Sequence, residues 1–229
     1  AGPIHSIALK EDGTVVAWSL AARTSALMVD AGSEVDALAA APSADFVAVG
    51  TEDGRMRLVT NSSGATMGDW AAHRTPLHAI AISPDSRWLA TGAWNGELAL
   101  WSVDGGLLAR FDAHHDGVND LAIAPDGRRF ASASRDRTVK VWNTSVPIGT
   151  PSTLVGHLQG VSAVVWLDDS HLQSTSGDGQ LRTWELEQTD AGLDDWNPVA
   201  VEGLDTPGSA LVRVPGATVV ATEGGQLLR

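Results

Sequence analysis

The sequence contains no cysteine among its 229 residues, which excludes disulfides, thiolate metal sites and cysteine nucleophiles. It also lacks any apolar run of the ~20 residues that a membrane-spanning helix requires. Basic residues are scarce: 15 Lys and Arg stand against 28 Asp and Glu, so the formal net charge is −13. General binding to nucleic acids or anionic membranes is therefore not expected, because both need a basic surface.

The start of the chain, AGPIHSIALK, shows neither an initiating Met nor a secretory signal, so we expect a processed chain or a fragment of a longer protein. The compartment cannot be read from this start, and a cytoplasmic location is favoured. Apolar residues make up 43% of the sequence, which is enough for a packed core. Arg, Asp, Glu and Ala dominate over Lys. That bias is common in GC-rich bacterial genomes, and it suggests a bacterial origin.

The most informative feature is an internal repeat. Five segments align at their right-hand ends, and each is a polar turn followed by an alternating apolar strand: KEDGTVVAWSL, TEDGRMRLVTN, AWNGELALWSV, SRDRTVKVWNT and SGDGQLRTWEL. Their shared aromatic positions are Trp18, Val59, Trp101, Trp142 and Trp184, at intervals of 41, 42, 41 and 42 residues. A sixth copy, TEGGQLLR, lies at the end of the chain. Such regular spacing indicates stacked structural units.

Each unit has the pattern of four short strands. Upstream of the aligned segments, two alternating strands flank a turn such as Ser83-Pro84-Asp85-Ser86. The central copy predicts strands at 77–82, 88–92, 97–101 and 107–110. A four-stranded antiparallel unit of ~40–45 residues is the size of a propeller blade, and such a blade must stack on its neighbours. We therefore predict an all-β propeller in which residues 1–229 form a single domain.

About six blades are predicted. Their approximate limits are 4–29 (partial), 35–68, 77–110, 118–155, 161–201 and 209–229 (partial). A seven-bladed ring at ~42 residues per blade needs about 294 residues, so the array could be part of such a ring; the alternative is an imperfectly closed six-bladed ring. The acidic segment 185–198 is expected to be a surface loop.

At this point the chain resembles the WD40-repeat family along essentially its whole length. A His precedes three of the blades, at His73, His114 and His157, and lies 28, 28 and 27 residues before the next aligned Trp. The family's Trp-Asp dipeptide has drifted. The residues that follow the aligned tryptophans are Ser19, Ser102, Asn143 and Glu185.

The resemblance implies a buried hydrogen-bonded tetrad of His, Ser or Thr, Asp and Trp within a blade. Position by position, it implies His114, Ser134, Asp136 and Trp142 in one blade, and His157, Ser176, Asp178 and Trp184 in the next. A third set, His73, Ala93, Asn95 and Trp101, is incomplete. Another blade has Ala31 and Val59 at the His and Trp positions, so we expect its Asp53 to be solvated.

The resemblance also implies that ligands bind at the top face, through two positions per blade. One is the second residue of the first strand: Asp36, His78, Asn119, Ser162 and Ser209. The other precedes the turn Asp: Glu11, Glu52, Trp94, Arg135, Gly177 and Glu223. Trp94 is the strongest candidate, because an exposed Trp with Arg135 and His78 has the composition of a binding hot spot. The alternative is that Trp94 packs on its own loop.

The predicted function is a non-enzymatic scaffold that binds a protein or peptide, with no cofactor and no metal. A partner with basic segments is slightly favoured by the acidic charge. One alternative is a sensory or regulatory domain of a larger bacterial protein that carries a kinase, protease or NTPase domain. A less favoured alternative is a propeller hydrolase with a central metal. The run His114-His115-Asp116 suggests a metal site, but His114 already occupies a tetrad position.

Overall fold

The structure is a computed structural model that describes residues 6–9, 14–19, 24–144, 149–188, 194–214 and 217–228. Within these ranges the regular structure is entirely β-strand. The described residues form twenty-two strands in six antiparallel sheets, in which neighbouring strands follow chain order; four of these sheets have four strands and two have three. The chain is therefore an all-β protein built from the four-stranded antiparallel blades of a propeller. Over the same ranges we find no helix long and apolar enough to cross a membrane.

The strands are numbered in chain order. Blade one contains β1 Ser6–Leu9, β2 Thr14–Ser19 and β3 Thr24–Asp30, and blade two contains β4 Val35–Ala40, β5 Phe46–Thr51, β6 Arg55–Thr60 and β7 Thr66–Ala71. Blade three contains β8 Leu77–Ile82, β9 Trp88–Ala93, β10 Glu97–Ser102 and β11 Leu107–Asp112. Blade four contains β12 Val118–Ile123, β13 Arg129–Ser134, β14 Val139–Asn143 and β15 Ser152–Leu154. Blade five contains β16 Val161–Trp166, β17 His171–Ser176, β18 Gln180–Gln188 and β19 Asp194–Gly203. Blade six contains β20 Gly208–Val214, β21 Ala217–Thr222 and β22 Leu227–Leu228.

The chain divides into two compact units, residues 1–111 and 112–229. The first contains blades one to three and the second contains blades four to six. The single domain over 1–229 and the seven-bladed ring stay predictions.

One core cluster of the first unit lies between blades two and three. Strand β5 is buried at every position, because its apolar run FVAVGT is covered on both faces. Met56, Leu58, Leu77 and Leu89 are all fully buried in the same cluster. A side chain at Gly50 would place its Cβ 2.4 Å from Leu77, so glycine allows the two blades to approach closely at this point.

In the second unit, hydrogen bonds tie blade four to blade five. Asp120 lies on β12, and its Oδ2 accepts a 2.9 Å hydrogen bond from the backbone N–H of Val164 on β16. Two residues further along each strand, the indole N–H of Trp166 donates to the carbonyl of Ala122 at 3.1 Å. These contacts pair polar groups that would otherwise be buried without partners, and so they set the register of one blade on the next.

The predicted surface loop over 185–198 is wrong at both of its ends. Strand β18 continues to Gln188, and β19 already begins at Asp194, with Leu186 paired to Trp196. The physical reason is the burial of Trp196, which is 7% exposed and packs edge-on against Trp166 at 5.6 Å. That buried apolar area stabilises the longer hairpin despite its acidic composition.

Candidate functional site

A buried polar network anchors blade four. The imidazole of His114 donates from Nδ1 to Asp136 at 2.9 Å, and its Nε2 lies 2.7 Å from the hydroxyl of Ser132. The indole Nε1 of Trp142 donates to the same hydroxyl at 2.9 Å. Thr138 adds a hydrogen bond of 2.6 Å to the other oxygen of Asp136. Every polar group of this network is therefore paired, as burial requires.

Blade five repeats the arrangement. His157 lies 3.1 Å from Asp178 through Nδ1 and 2.8 Å from the Ser174 hydroxyl through Nε2. Trp184 donates to that hydroxyl at 2.9 Å. The carboxylate of Asp178 also accepts a 2.8 Å hydrogen bond from the backbone of Leu158, which fixes the loop that carries the His.

The predicted serines, Ser134 and Ser176, are wrong members of these tetrads, because the bridging hydroxyls belong to Ser132 and Ser174. Both predicted residues lie at the ends of their strands. There each donates to a backbone carbonyl and accepts from the backbone N–H of the tetrad Asp. Residues two apart on a strand share a face, so a pattern with period two cannot choose between them.

The blade-three network was predicted to be incomplete, and this is wrong. Thr91 lies 2.7 Å from His73 Nε2 and accepts from the indole of Trp101 at 2.9 Å. Glu97 takes the role of the Asp, with its carboxylate 2.6 Å from His73 Nδ1. The positions assigned from the family pattern, Ala93 and Asn95, take no part; the Asn95 side chain accepts from the backbone of Glu97.

Arg110 completes the blade-three network. It donates to the Glu97 carboxylate at 3.0 Å and to the carbonyl of Ala72 at 2.6 Å. Its guanidinium also lies 5.5 Å from the centre of the Trp101 ring. The Arg therefore balances the charge that Glu97 brings into a largely buried setting.

The pKa shifts explain which protonation states the networks select. Burial lowers the pKa of His73 and of His157 below the usual histidine value, so both imidazoles are neutral. Burial raises the pKa of Asp136, but hydrogen bonds from His114 and Thr138 outweigh it and hold the pKa well below its usual range. The networks of blades three and five therefore hold a neutral imidazole, and that of blade four holds an ionised carboxylate.

A hydroxyl, a His and a carboxylate in this order also form the constellation of a hydrolase. Here the hydroxyl-bearing residues Thr91, Ser132 and Ser174 are fully buried, and each hydroxyl accepts a hydrogen bond from an indole. A substrate could not reach them without unfolding the blade. Blade two has Ala31 and Val59 at the His and Trp positions, and its Asp53 is exposed and accepts a hydrogen bond from the Thr51 hydroxyl.

A β-bulge marks the start of blades two to six. In blade two, Val35 pairs with Thr51 and Ala37 with Gly50, which leaves Asp36 as the extra residue. The corresponding residues of the later blades are His78, Asn119, Ser162 and Ser209. A bulge turns the extra residue out of the regular ladder and redirects its side chain. All five are the predicted first-strand residues of the top face.

The second predicted position lies directly beside each bulge. The backbone N–H of Glu52 donates to the carbonyl of Glu34, and that of Trp94 donates to Pro76, at 2.9 and 3.0 Å. The same bond is made by Arg135, Gly177 and Glu223 in blades four, five and six. One edge of each blade thus presents the two predicted positions together. Glu11 lies outside the described residues.

In the first unit these positions line a cavity of about 430 Å³. Its six lining residues are Glu34, Asp36, Glu52, Pro76, His78 and Trp94. They form three pairs of equivalent positions in blades two and three, and the members of each pair are 42 residues apart: Glu34 and Pro76, Asp36 and His78, and Glu52 and Trp94. The structure therefore brings Asp36, Glu52, His78 and Trp94 together, as predicted positions of one surface.

Trp94 is the largest exposed side chain of this cavity, with 43% of its surface accessible. Its ring lies 4.8 Å from the His78 imidazole at a tilt of 40°. Burial raises the pKa of Asp36, with a further increase from the charge of Glu34 and an opposing effect from His78. The cavity thus combines an aromatic wall with the half-buried carboxylate of Asp36 and the exposed carboxylates of Glu34 and Glu52.

In the second unit the equivalent positions have different chemistry. Arg135 is exposed, and its Nε donates to the Asn119 side chain at 3.2 Å. Asn119 in turn donates to the carbonyl of Val161 in blade five at 2.7 Å. Ser162 is half-buried. The predicted pairing of Trp94 with Arg135 stays a prediction.

Two lining residues were missed by the sequence analysis, Glu34 and Pro76. Each lies two residues before the bulge, and its backbone carbonyl closes the bulge hydrogen bond. The repeat interval contains the necessary signal, because both have the same offset from Asp36 and His78. Across the described ranges, no cluster of three or more His, Asp or Glu side chains could hold a metal ion.

Comparison with known proteins adds a sequence family. The family model described as "WD domain, G-beta repeat" matches residues 64–102, 105–143 and 149–185, together just over half of the chain.

Individual relatives are more distant. A ribosome biogenesis protein WDR12 homolog from Drosophila mojavensis is 24% identical over 156 residues, which cover 62% of this chain and 31% of that protein. A guanine nucleotide-binding protein subunit beta from Schizosaccharomyces pombe is 33% identical over 113 residues, which cover 49% of this chain and 37% of that protein. The chain thus spans about a third of the length of these curated relatives. Both are eukaryotic, so they lend no support to the expected bacterial origin.

Among solved structures, a chain of the crystal structure of the mitotic checkpoint complex matches with a TM-score of 0.82 and 18% identity. The match covers 94% of this chain and 68% of that one. At this identity the likeness concerns the fold alone.

Proposed function

This chain belongs to the WD40-repeat family, and from that premise we propose that it is a non-enzymatic interaction module that binds a protein or peptide at the blade edge formed by the bulges. The names of its relatives support an assembly role: one is a G protein subunit, and the structural match is a chain of a checkpoint complex. Function must still be argued from a site rather than from the fold.

The observation that carries the proposal is the cavity around Trp94. Pockets in proteins combine apolar walls with a few convergent polar groups, and this one joins an exposed indole to three carboxylates. Trp is enriched among the residues that dominate binding energy at interfaces. The bulges make this surface part of a repeated rigid frame, so little ordering is needed when a ligand binds.

The burial of the tetrad hydroxyls supports a non-catalytic role. The Ser-His-Asp arrangement of blades four and five is consistent with a structural role, because each hydroxyl is buried and accepts a hydrogen bond from an indole N–H. The same arrangement also recurs from one blade to the next. Recurrence is typical of scaffolding, whereas an active site needs one accessible constellation. The net charge of −13 also supports protein partners over nucleic acid.

The test is capture of partners from an extract of the source organism, with the wild-type chain and variants immobilised in parallel. Trp94→Ala should lose specific partners, and Arg135→Glu tests the second unit. The matched control is Leu108→Ala, a substitution on β11 of the same blade at a side chain that is 47% exposed. Equal capture by wild type, Trp94→Ala and Arg135→Glu would refute the proposed surface.

A further inference from the structure

The cavity of the first unit is acidic, because three carboxylates line it together with a single histidine. Its polar members are Glu34, Asp36, Glu52 and His78, and among the described residues neither Arg nor Lys lines it. Asp36 is half-buried, and burial raises its pKa; the charge of His78 opposes this shift and that of Glu34 adds to it. A cation placed in the cavity would relieve the repulsion between Asp36 and Glu34 and would compensate the partial desolvation of Asp36.

An aromatic face accompanies the carboxylates. The Trp94 indole is 43% exposed and lies 4.8 Å from His78 across the cavity wall. Among aromatic side chains, Trp attracts a guanidinium or ammonium group most strongly through its ring quadrupole. The two features select the same chemistry, because carboxylates pair with the charge while the ring packs against the stem of a long basic side chain.

This chemistry is local to blades two and three. At the positions of Asp36 and Glu52, blade four carries Asn119 and Arg135, so the negative charge is replaced by a positive one. Blade five carries Ser162 and Gly177 at these positions. The acidic cavity is therefore a property of this pair of blades and not of the repeated scaffold.

We propose that the cavity binds the side chain of an arginine or lysine presented by a partner protein, held between the carboxylates of Asp36 and Glu52 and the indole of Trp94. This rests on the proposed function, since it names the chemistry of the ligand at the same surface. A neutral ligand would leave the carboxylates desolvated without a partner, and an acidic ligand would be repelled.

The experiment selects a displayed library of random short peptides against the immobilised wild-type chain. Affinities of the enriched peptides are then measured for wild type, Glu52→Gln, Asp36→Asn and Trp94→Ala, with Glu202→Gln, an exposed glutamate on β19, as the charge-matched control. Thermal melting of each variant verifies that it is folded.

We expect enriched peptides that share an Arg or Lys. Glu52→Gln and Trp94→Ala should each weaken the binding of these peptides by about tenfold, whereas Glu202→Gln should leave it unchanged. In a peptide that carries Arg, replacing this residue by citrulline should weaken binding to the wild-type chain by a similar factor. Enriched peptides without a basic residue that still require Trp94 would overturn this inference and leave the proposed function standing. Peptides that bind all variants alike would overturn both.

Discussion

The indole Nε1–H of Trp142 donates to the Oγ of Ser132 across 2.9 Å, and the Ser132 side chain is fully buried. The same hydroxyl lies 2.7 Å from Nε2 of His114. One oxygen thus satisfies two buried nitrogens, and through His114 it connects the core Trp to the carboxylate of Asp136. Its removal would strand both nitrogens away from water.

Ser132→Ala should therefore lower the free energy of unfolding by about 2–3 kcal/mol, measured by urea denaturation. The matched control is Ser132→Thr, because blade three carries Thr91 at the corresponding position with the same two hydrogen bonds. That variant keeps the bridging hydroxyl and should lose much less stability. Equal losses for the two variants would show that the hydroxyl does not hold the network.

Acid should destabilise the second unit through its two networks. The pKa of His157 is lowered by burial from its usual 6.5, so its contribution to stability declines as the pH falls below about 6.5. Burial raises the pKa of Asp178, but hydrogen bonds from Leu158 and His157 lower it overall. Its contribution is present above the unfolded value of 3.8 and is lost as the pH falls through the lowered pKa.

Chemical denaturation from neutral to acidic pH measures this dependence. The wild type should lose stability steadily on acidification, and Asp178→Asn should show a shallower decline because it no longer takes up a proton on unfolding. A decline of the same steepness in both proteins would contradict the assignment.

Asp120 should titrate with the opposite sign. Burial raises the pKa of this carboxyl to about 6, against hydrogen bonds from the backbone of Val164 and Leu121. Because the folded pKa lies above the unfolded one, its contribution to stability is complete at low pH and is lost as the pH rises through about 6. A carbon-13 NMR titration of the side-chain carboxyl should show a midpoint near that value. A midpoint near the ordinary 3.8 would refute the effect of burial.

Arg137 occupies a left-handed backbone conformation, with φ of 73°, at the turn between β13 and β14. The corresponding turns of blades two, three, five and six have glycine, at Gly54, Gly96, Gly179 and Gly225. Arg137→Gly should raise the free energy of unfolding by about 1 kcal/mol, because glycine has no Cβ to clash in this conformation. Arg87→Gly removes another exposed Arg where φ is not positive and should not stabilise. A gain of the same size there would point to charge rather than backbone conformation.

The repeat interval explains why so much of the fold could be predicted from the sequence. Trp101, Trp142 and Trp184 recur because each blade buries the same indole, and the polar turns recur because each pair of strands must reverse. The repeat interval does not identify which serine belongs to each tetrad. Ser132 and Ser134 project from the same face, and only the register to β14 brings Ser132 within reach of the Trp142 indole.

The role of Glu97 was hidden for a related reason. Matching the repeats position by position places Asn95 where the other blades have Asp. The carboxylate that contacts His73 belongs instead to Glu97, two residues further along the chain, whose longer side chain reaches the imidazole. The bulges could not be located from glycine residues, because Asp36 and His78 are the extra residues of the bulges in blades two and three. Trp196 was concealed by the acidic residues around it, although its own burial lengthens the hairpin.

The most direct test of the account places a photo-reactive group in the cavity. Trp94 is replaced by p-benzoylphenylalanine, which keeps an aromatic ring in place, and Leu108 is replaced in the same way as the control on the same blade. After irradiation in extract, adducts to a partner protein should form from position 94 and not from position 108. Adducts from position 108 alone, or from both positions equally, would contradict the claim that this chain binds its partners at the Trp94 cavity.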